Sequence, residues 1–208
     1  MAMIRPRIGD FLYSPTELEV MMEDIRNFKA NDAQGVVFGV LTADGNVDVD
    51  RTRALVEEAS PLQVCFHRAI DMVSKDSSAW QDVFSIPGIT RVLTSGMAPK
   101  VTESLEFLKD ILQKSRRCAE ESNTLAKVIL PGSGINAFSV PALIETLLPH
   151  GLGEIHLSGG QWIDSKVTYR PVGMGMGGVV EWGVWITDEA AVRSVREIAD
   201  KLTEAQVD

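Results

Sequence analysis

Thiols, aromatic rings and positive charge are all scarce in this chain. Two of 208 residues are cysteines, Cys65 and Cys118, and they lie far apart. That excludes a disulfide framework and favours a reducing compartment, so a cytoplasmic home is expected. Aromatic residues make up 6%, with only two tyrosines. Lys and Arg total 20 against 29 Asp and Glu, a formal net charge of −9. Such a balance repels polyphosphate and argues against nucleic-acid binding, though not against a small anion in a local basic pocket. No apolar run reaches membrane-spanning length, and Met1 to Phe11 lacks the apolar stretch of a signal peptide, so no membrane contact is expected.

What is present is a well-populated apolar set, 45% of residues, enough for one domain over 1–208. Six short apolar runs predict strands: Met1–Arg5, Gly35–Phe38, Leu62–Phe66, Arg91–Thr94, Ala126–Leu130 and Glu154–Leu157. They recur at intervals of roughly 30 residues, the length of a strand–helix unit. Most lack strict alternation, as strands buried on both faces do. Ser14-Pro15-Thr16-Glu17 reads as a capping box, followed by an apolar stripe from Leu18 to Phe28. A second stripe comprises Val101, Leu105, Leu108 and Leu112. The last helix is predicted to start at Thr187 and to carry Val192, Val195, Ile198 and Leu202 on one face. Tyr169 to Gly183 is expected to be a long irregular loop between the last strand and the last helix.

Repeated strand–helix units imply a parallel sheet, either doubly wound and open or closed as a barrel. In both, ligands bind at the C-terminal ends of the strands. Those ends carry Arg5, Arg7 and Asp10; His67, Arg68 and Asp71; Ser95; Gly132, Gly134 and Asn136; and His156 and Ser158. The arginines suit a carboxylate or phosphate. The glycine turns suit backbone donation to phosphate, and the histidines suit proton exchange or metal ligation. Two plainer readings compete: an ion-pair network that closes the mouth, and glycines that only shape turns. Cys65 and His67 form a Cys-x-His pair on paper, but a buried free cysteine is usually packing. Gly173 to Gly178 has dinucleotide-fingerprint spacing, yet no strand precedes it and no capped helix follows, so that reading is rejected. Met174 and Met176 offer only weak evidence for a soft metal site.

Several motifs in order resemble the CutC copper-homeostasis family. They are Met3-Ile4-Arg5-Pro6-Arg7 with Gly9-Asp10-Phe11, Gly35-Val36-Val37-Phe38-Gly39, Phe66-His67-Arg68-Ala69, Leu93-Thr94-Ser95-Gly96, Pro131-Gly132-Ser133-Gly134-Ile135-Asn136 and Glu154-Ile155-His156-Leu157-Ser158. The resemblance covers nearly the whole chain. It implies an α/β fold of the (β/α)₈ TIM-barrel type, a homo-oligomer and a role in copper tolerance or copper binding, with no defined reaction. It begins at the family's third strand. The expected barrel is therefore incomplete: six parallel strands, with the first two strand–helix units and their cysteine motifs missing. A small anionic ligand at the mouth is the alternative partner to copper.

Overall fold

The computed structural model describes residues 1–74, 78–178 and 180–205. Its centre is a five-stranded parallel sheet: β1 (Ala2–Met3), β2 (Gly35–Phe38), β3 (Gln63–Phe66), β4 (Ile89–Thr94) and β5 (Val128–Pro131). Strand order follows chain order without reversal, Val36 lying beside Val64 and Cys65 beside Arg91. A doubly wound sheet reverses direction at a switch point, whereas a barrel wall does not. The connections are α1 (Pro15–Ala30), α2 (Val49–Ala59), α3 (Ala79–Ser85) and α4 (Leu105–Ser122), with α5 (Val140–Leu147) following β5.

Local chemistry explains these elements. The α1 capping box is complete: the Ser14 side chain accepts from the Glu17 N–H at 3.3 Å, and the Glu17 carboxylate accepts from the Ser14 N–H at 2.7 Å. Met21 and Ile25 on α1, Leu55 on α2 and Leu108 on α4 are buried against the sheet. Val36 and Phe38 are wholly buried, and Val37 is half-buried. Strand β1 is short because Pro6, with no N–H, ends the ladder soon after Ile4 donates to the Val37 carbonyl at 2.8 Å.

Two expectations need correction. The sixth run, Glu154–Leu157, is not a strand. It makes a single parallel bridge, His156 to Gly132, with the His156 N–H donating to the Pro131 carbonyl at 2.8 Å. A segment paired on one side only has half the ladder of an interior strand. Glu154 is held by a two-pronged contact from Arg91, at 2.8 Å through both Nε and Nη2. Beside this segment, Ile155, Leu157, Val195 and Ala199 line an apolar groove of about 710 Å³.

The second correction concerns the C-terminal quarter. The irregular 169–182 stretch lies inside an antiparallel hairpin, β6 (Gly160–Asp164) with β7 (Gly183–Thr187). Trp162 faces Trp185 edge-on, with ring centroids 5.3 Å apart. The run Gln161 to Ile163 is too short and too unalternating to predict a strand. Thr187 closes β7, so the cap of α6 (Glu189–Glu204) falls to Asp188, which accepts from the Ala190 N–H at 2.9 Å. Val195 is buried, Ile198 and Leu202 are half-buried, and Val192 is exposed. No helix among the described residues is long and apolar enough to cross a membrane.

Candidate functional site at the strand ends

The C-terminal strand ends form two clusters of different character. The first is built on Asp71, in the 3₁₀ turn Arg68–Met72 that follows β3. Its side chain is 5% exposed. Oδ1 accepts from the Thr94 hydroxyl at 2.5 Å and the Met97 N–H at 3.1 Å, and Oδ2 accepts from the Ser95 N–H at 2.9 Å and Arg68 Nε at 2.8 Å. Arg68 Nη2 also donates to the Ser95 hydroxyl at 2.8 Å, and that hydroxyl lies 2.6 Å from the Ala98 carbonyl. Gly96, at φ +73°, turns the chain where a side chain would strike Ser104. Arg68, Asp71 and Ser95 are thus occupied with one another, as an ion-pair network closing the mouth requires.

Arg7 is occupied too. Its guanidinium contacts Glu17 Oε1 at 2.5 Å, Asp10 Oδ1 at 2.8 Å and the Leu12 carbonyl at 2.6 Å. Hydrogen bonding from Arg7 holds the Asp10 carboxyl below its ordinary range, and the Asp10 bond raises Arg7 in turn. The Ser14 N–H, then Arg7, lower Glu17. Asn136 serves its own backbone: Oδ1 accepts from the Phe138 N–H at 2.9 Å and the Ser139 N–H at 3.2 Å, and Nδ2 donates to the Gly134 carbonyl. The Gly132 N–H donates to the Thr94 carbonyl at 2.8 Å, so it is not free to cradle phosphate. Gly134 supplies φ +77° for the turn. His156 and Ser158 are exposed, and their side chains make no hydrogen bond to the other mouth residues among those described.

The second cluster surrounds His67, which is 3% exposed. Its ring lies against Phe11, centroids 4.6 Å apart, and over Gly39, where a Cβ would collide with it. Nδ1 accepts from the Ala69 N–H at 3.2 Å, which puts the ring proton on Nε2. Burial, then the charge of Arg5, lowers the imidazole pKa to about 4. The Arg5 guanidinium stacks on Phe11 at 4.8 Å and makes one good hydrogen bond, to the Gly9 carbonyl at 2.9 Å. Phe11, Gly39 and Thr94 lie within the motifs quoted above, but the sequence assigns none of them to a ligand; Tyr13 lies outside every motif, two residues after Phe11 and just before the capping box.

As a copper site the donor set does not fit. Burial pushes the Cys65 thiol up to about 11, so it stays protonated. Cys118 lies on α4, and among the described residues no group of three or more His, Cys, Asp or Glu is placed to hold a metal. Met174 and Met176 are exposed in the hairpin connection.

The motif order, the sheet winding and this mouth meet in the comparison with known proteins. The CutC family model matches residues 1–161. The chain belongs to the CutC family. A CutC family protein of Chromobacterium violaceum is 38% identical over 202 residues, covering 96% of this chain and 77% of that one. The human copper homeostasis protein cutC homolog is 36% identical over 203 residues, covering 96% and 70%. A CutC crystal structure from Streptococcus agalactiae superposes with a TM-score of 0.65 at 24% identity, covering 75% of this chain and 70% of that one, and so shares its fold.

Two outcomes follow for this CutC mouth. Asp71→Ala leaves the Ser95 and Met97 N–H groups without their acceptor and should cost about 3 kcal/mol. Arg68→Ala, at a side chain 43% exposed, should cost about 1 kcal/mol or less. Urea denaturation of both variants checks this, and equal costs would contradict it. The second outcome concerns pH. The unfolded chain binds a proton at His67 below about pH 6.5, and the folded chain does so only near 4. This contribution is therefore intact above pH 6.5 and is lost as pH falls from 6.5 to 4, on the order of 3 kcal/mol. Melts across that range should show a shallower decline for His67→Asn than for the wild type; parallel declines would exclude the effect.

Proposed function

We propose that this chain serves copper homeostasis, the role for which its CutC relatives are named, without a tight copper cage of its own. The observation that supports the role is the match to the human copper homeostasis protein cutC homolog over 96% of the chain. The observation that argues against a cage is the donor set, because Cu(I) favours clustered thiolates and thioethers. We read the fold as part of a (β/α)₈ barrel wall, with strand order as its support. A cytoplasmic location suits two free thiols. The second reading, a small anionic ligand at the mouth, draws on the second cluster, where Arg5 lies beside the buried His67.

Self-association is part of this reading. The hairpin is apolar on both faces: Trp162 and Trp185 on one, Ile163, Val184 and Ile186 on the other, each more than a third exposed. A two-stranded ribbon is marginal in water unless something covers it, and exposed apolar edges pair.

Expression in a bacterial strain lacking its CutC protein should restore growth on copper, and no gain over empty vector would overturn the role. Competition with a Cu(I) chelator should find only weak binding; tight one-to-one binding abolished by Cys65→Ser would overturn the absence of a cage. Light scattering after size exclusion should show more than one copy per particle. A monodisperse, cooperatively melting monomer would refute the association.

A further inference from the structure

Four buried side-chain polar atoms among the described residues have no hydrogen-bond partner: Tyr13 Oη, Thr52 Oγ1, His67 Nε2 and Trp80 Nε1. Leaving such a group unpaired costs stability, so each one needs a reason. Trp80 sits edge-on to Phe84 and Phe107, an ordinary packing site. Tyr13 and His67 differ from it, because both lie around one side chain, Arg5. The Arg5 charge acts on both the Tyr13 phenol and the His67 imidazole, and Arg5 approaches the Tyr13 oxygen as a donor without reaching full hydrogen-bond geometry, while Arg7 lies over the Tyr13 ring at 5.2 Å. Phe11 ties the geometry together, with Arg5 stacked 4.8 Å from its centroid and His67 4.6 Å from it. Tyr13 is 2% exposed and His67 3%, whereas Arg5 is exposed to solvent.

The chemistry of these groups has one sign. With Nδ1 taken by the Ala69 N–H, His67 presents Nε2–H, a donor. Burial raises the Tyr13 phenol, which keeps its proton and can donate. Arg5 has donors only. A metal ion needs lone pairs, and Arg5 would repel it; a carboxylate or phosphate supplies several acceptor oxygens and a negative charge. Arg7 and Arg68, which share the strand ends, have their guanidinium groups committed to Glu17, Asp10 and Asp71. Arg68 Nη1 is uncommitted as well, but Arg5 is the mouth arginine without a carboxylate partner among the described residues, its one hydrogen bond going to the Gly9 carbonyl.

We propose that Arg5, Tyr13 Oη and His67 Nε2 form a binding site for one oxyanion, the carboxylate or phosphate group of a small molecule entering from the solvent side of Arg5. Phe11 packs against both Arg5 and His67 and is the apolar neighbour the two share. Nothing in the site depends on copper. A failed titration leaves the copper role intact, and a failed copper-tolerance assay leaves the site intact.

The test is isothermal titration of the full chain with inorganic phosphate and, separately, with succinate, at neutral pH. Saturable one-to-one binding of either probe is expected, and the stronger one identifies the anion class. Arg5→Ala should weaken it roughly tenfold or more, and Tyr13→Phe several-fold. Tyr13→Phe removes an unpaired buried hydroxyl, so it should melt no lower than the wild type, which separates lost binding from lost folding. Arg170→Ala, in the hairpin connection, should bind as the wild type does. The His67 Nε2 resonance should move on titration with the bound probe. No binding of either anion, a stationary His67 resonance, or wild-type affinity in both Arg5→Ala and Tyr13→Phe would each overturn the site.

Discussion

The Asp71 carboxylate joins two loops that the sheet alone does not hold. Strands β3 and β4 pair from Val64 to Phe66, with a register shift after Val64, and their ladder ends at Val92, before the mouth begins. Beyond that point Asp71 takes the N–H groups of Ser95 and Met97, the Thr94 hydroxyl and the Arg68 guanidinium. Each oxygen of a carboxylate accepts more than one donor, so one residue can bind a turn from four directions. In a site this dry those bonds are strong, and losing the acceptor strands several donors at once. The turn holding His67 and Ala69 is therefore fixed relative to β4, and His67 keeps its place over Gly39.

That arrangement divides the mouth's positive charge by task. Two arginines are structural. Arg7 joins the first loop to the capped start of α1 through Glu17, and Arg68 completes the Asp71 network. Arg5 is stacked on Phe11 beside two unpaired buried groups. The same division bears on copper. A soft cation wants deprotonated thiolates in a cluster, and burial keeps Cys65 neutral in its strand. Membership in the family and the capacity to cage the metal are separate properties, because the first follows from motifs along the chain and the second from which side chains meet.

The C-terminal quarter obeys a different constraint. Up to Pro131 the strands form one continuous ladder, β2 to β4 each paired on both sides. After it the chain offers only one bridge at His156, then a hairpin whose two faces are both apolar. Backbone pairing satisfies the hairpin's own polar groups but leaves its side chains without a core. The groove between Glu154–Leu157 and α6 shows the same shortage of partners on the other side.

Much of this was legible in the chain. The α1 capping box, the positions of β2 to β4 and the strand–helix rhythm follow from short-range rules, in which residues a few places apart decide the backbone. The family was legible because its motifs are contiguous. The fate of Glu154–Leu157 was not, since a run with strand composition becomes a strand only if a neighbour pairs with it over more than a single bridge. The hairpin was missed because β6 and β7 are separated by an irregular stretch of mixed composition. At the mouth, the sequence determined which residue types reach the strand ends: three arginines, two histidines and two aspartates beside the glycine turns. Only the tertiary structure decided that Asp71 consumes Arg68, that Glu17 consumes Arg7, and that Tyr13 and His67 remain unpaired around Arg5. Arg68 and Asp71 are near neighbours in the chain, as are Arg7 and Glu17, but their pairing depends on how each loop folds, and the anchoring of Asp71 to Thr94, Ser95 and Met97 depends on through-space contacts that no local pattern carries.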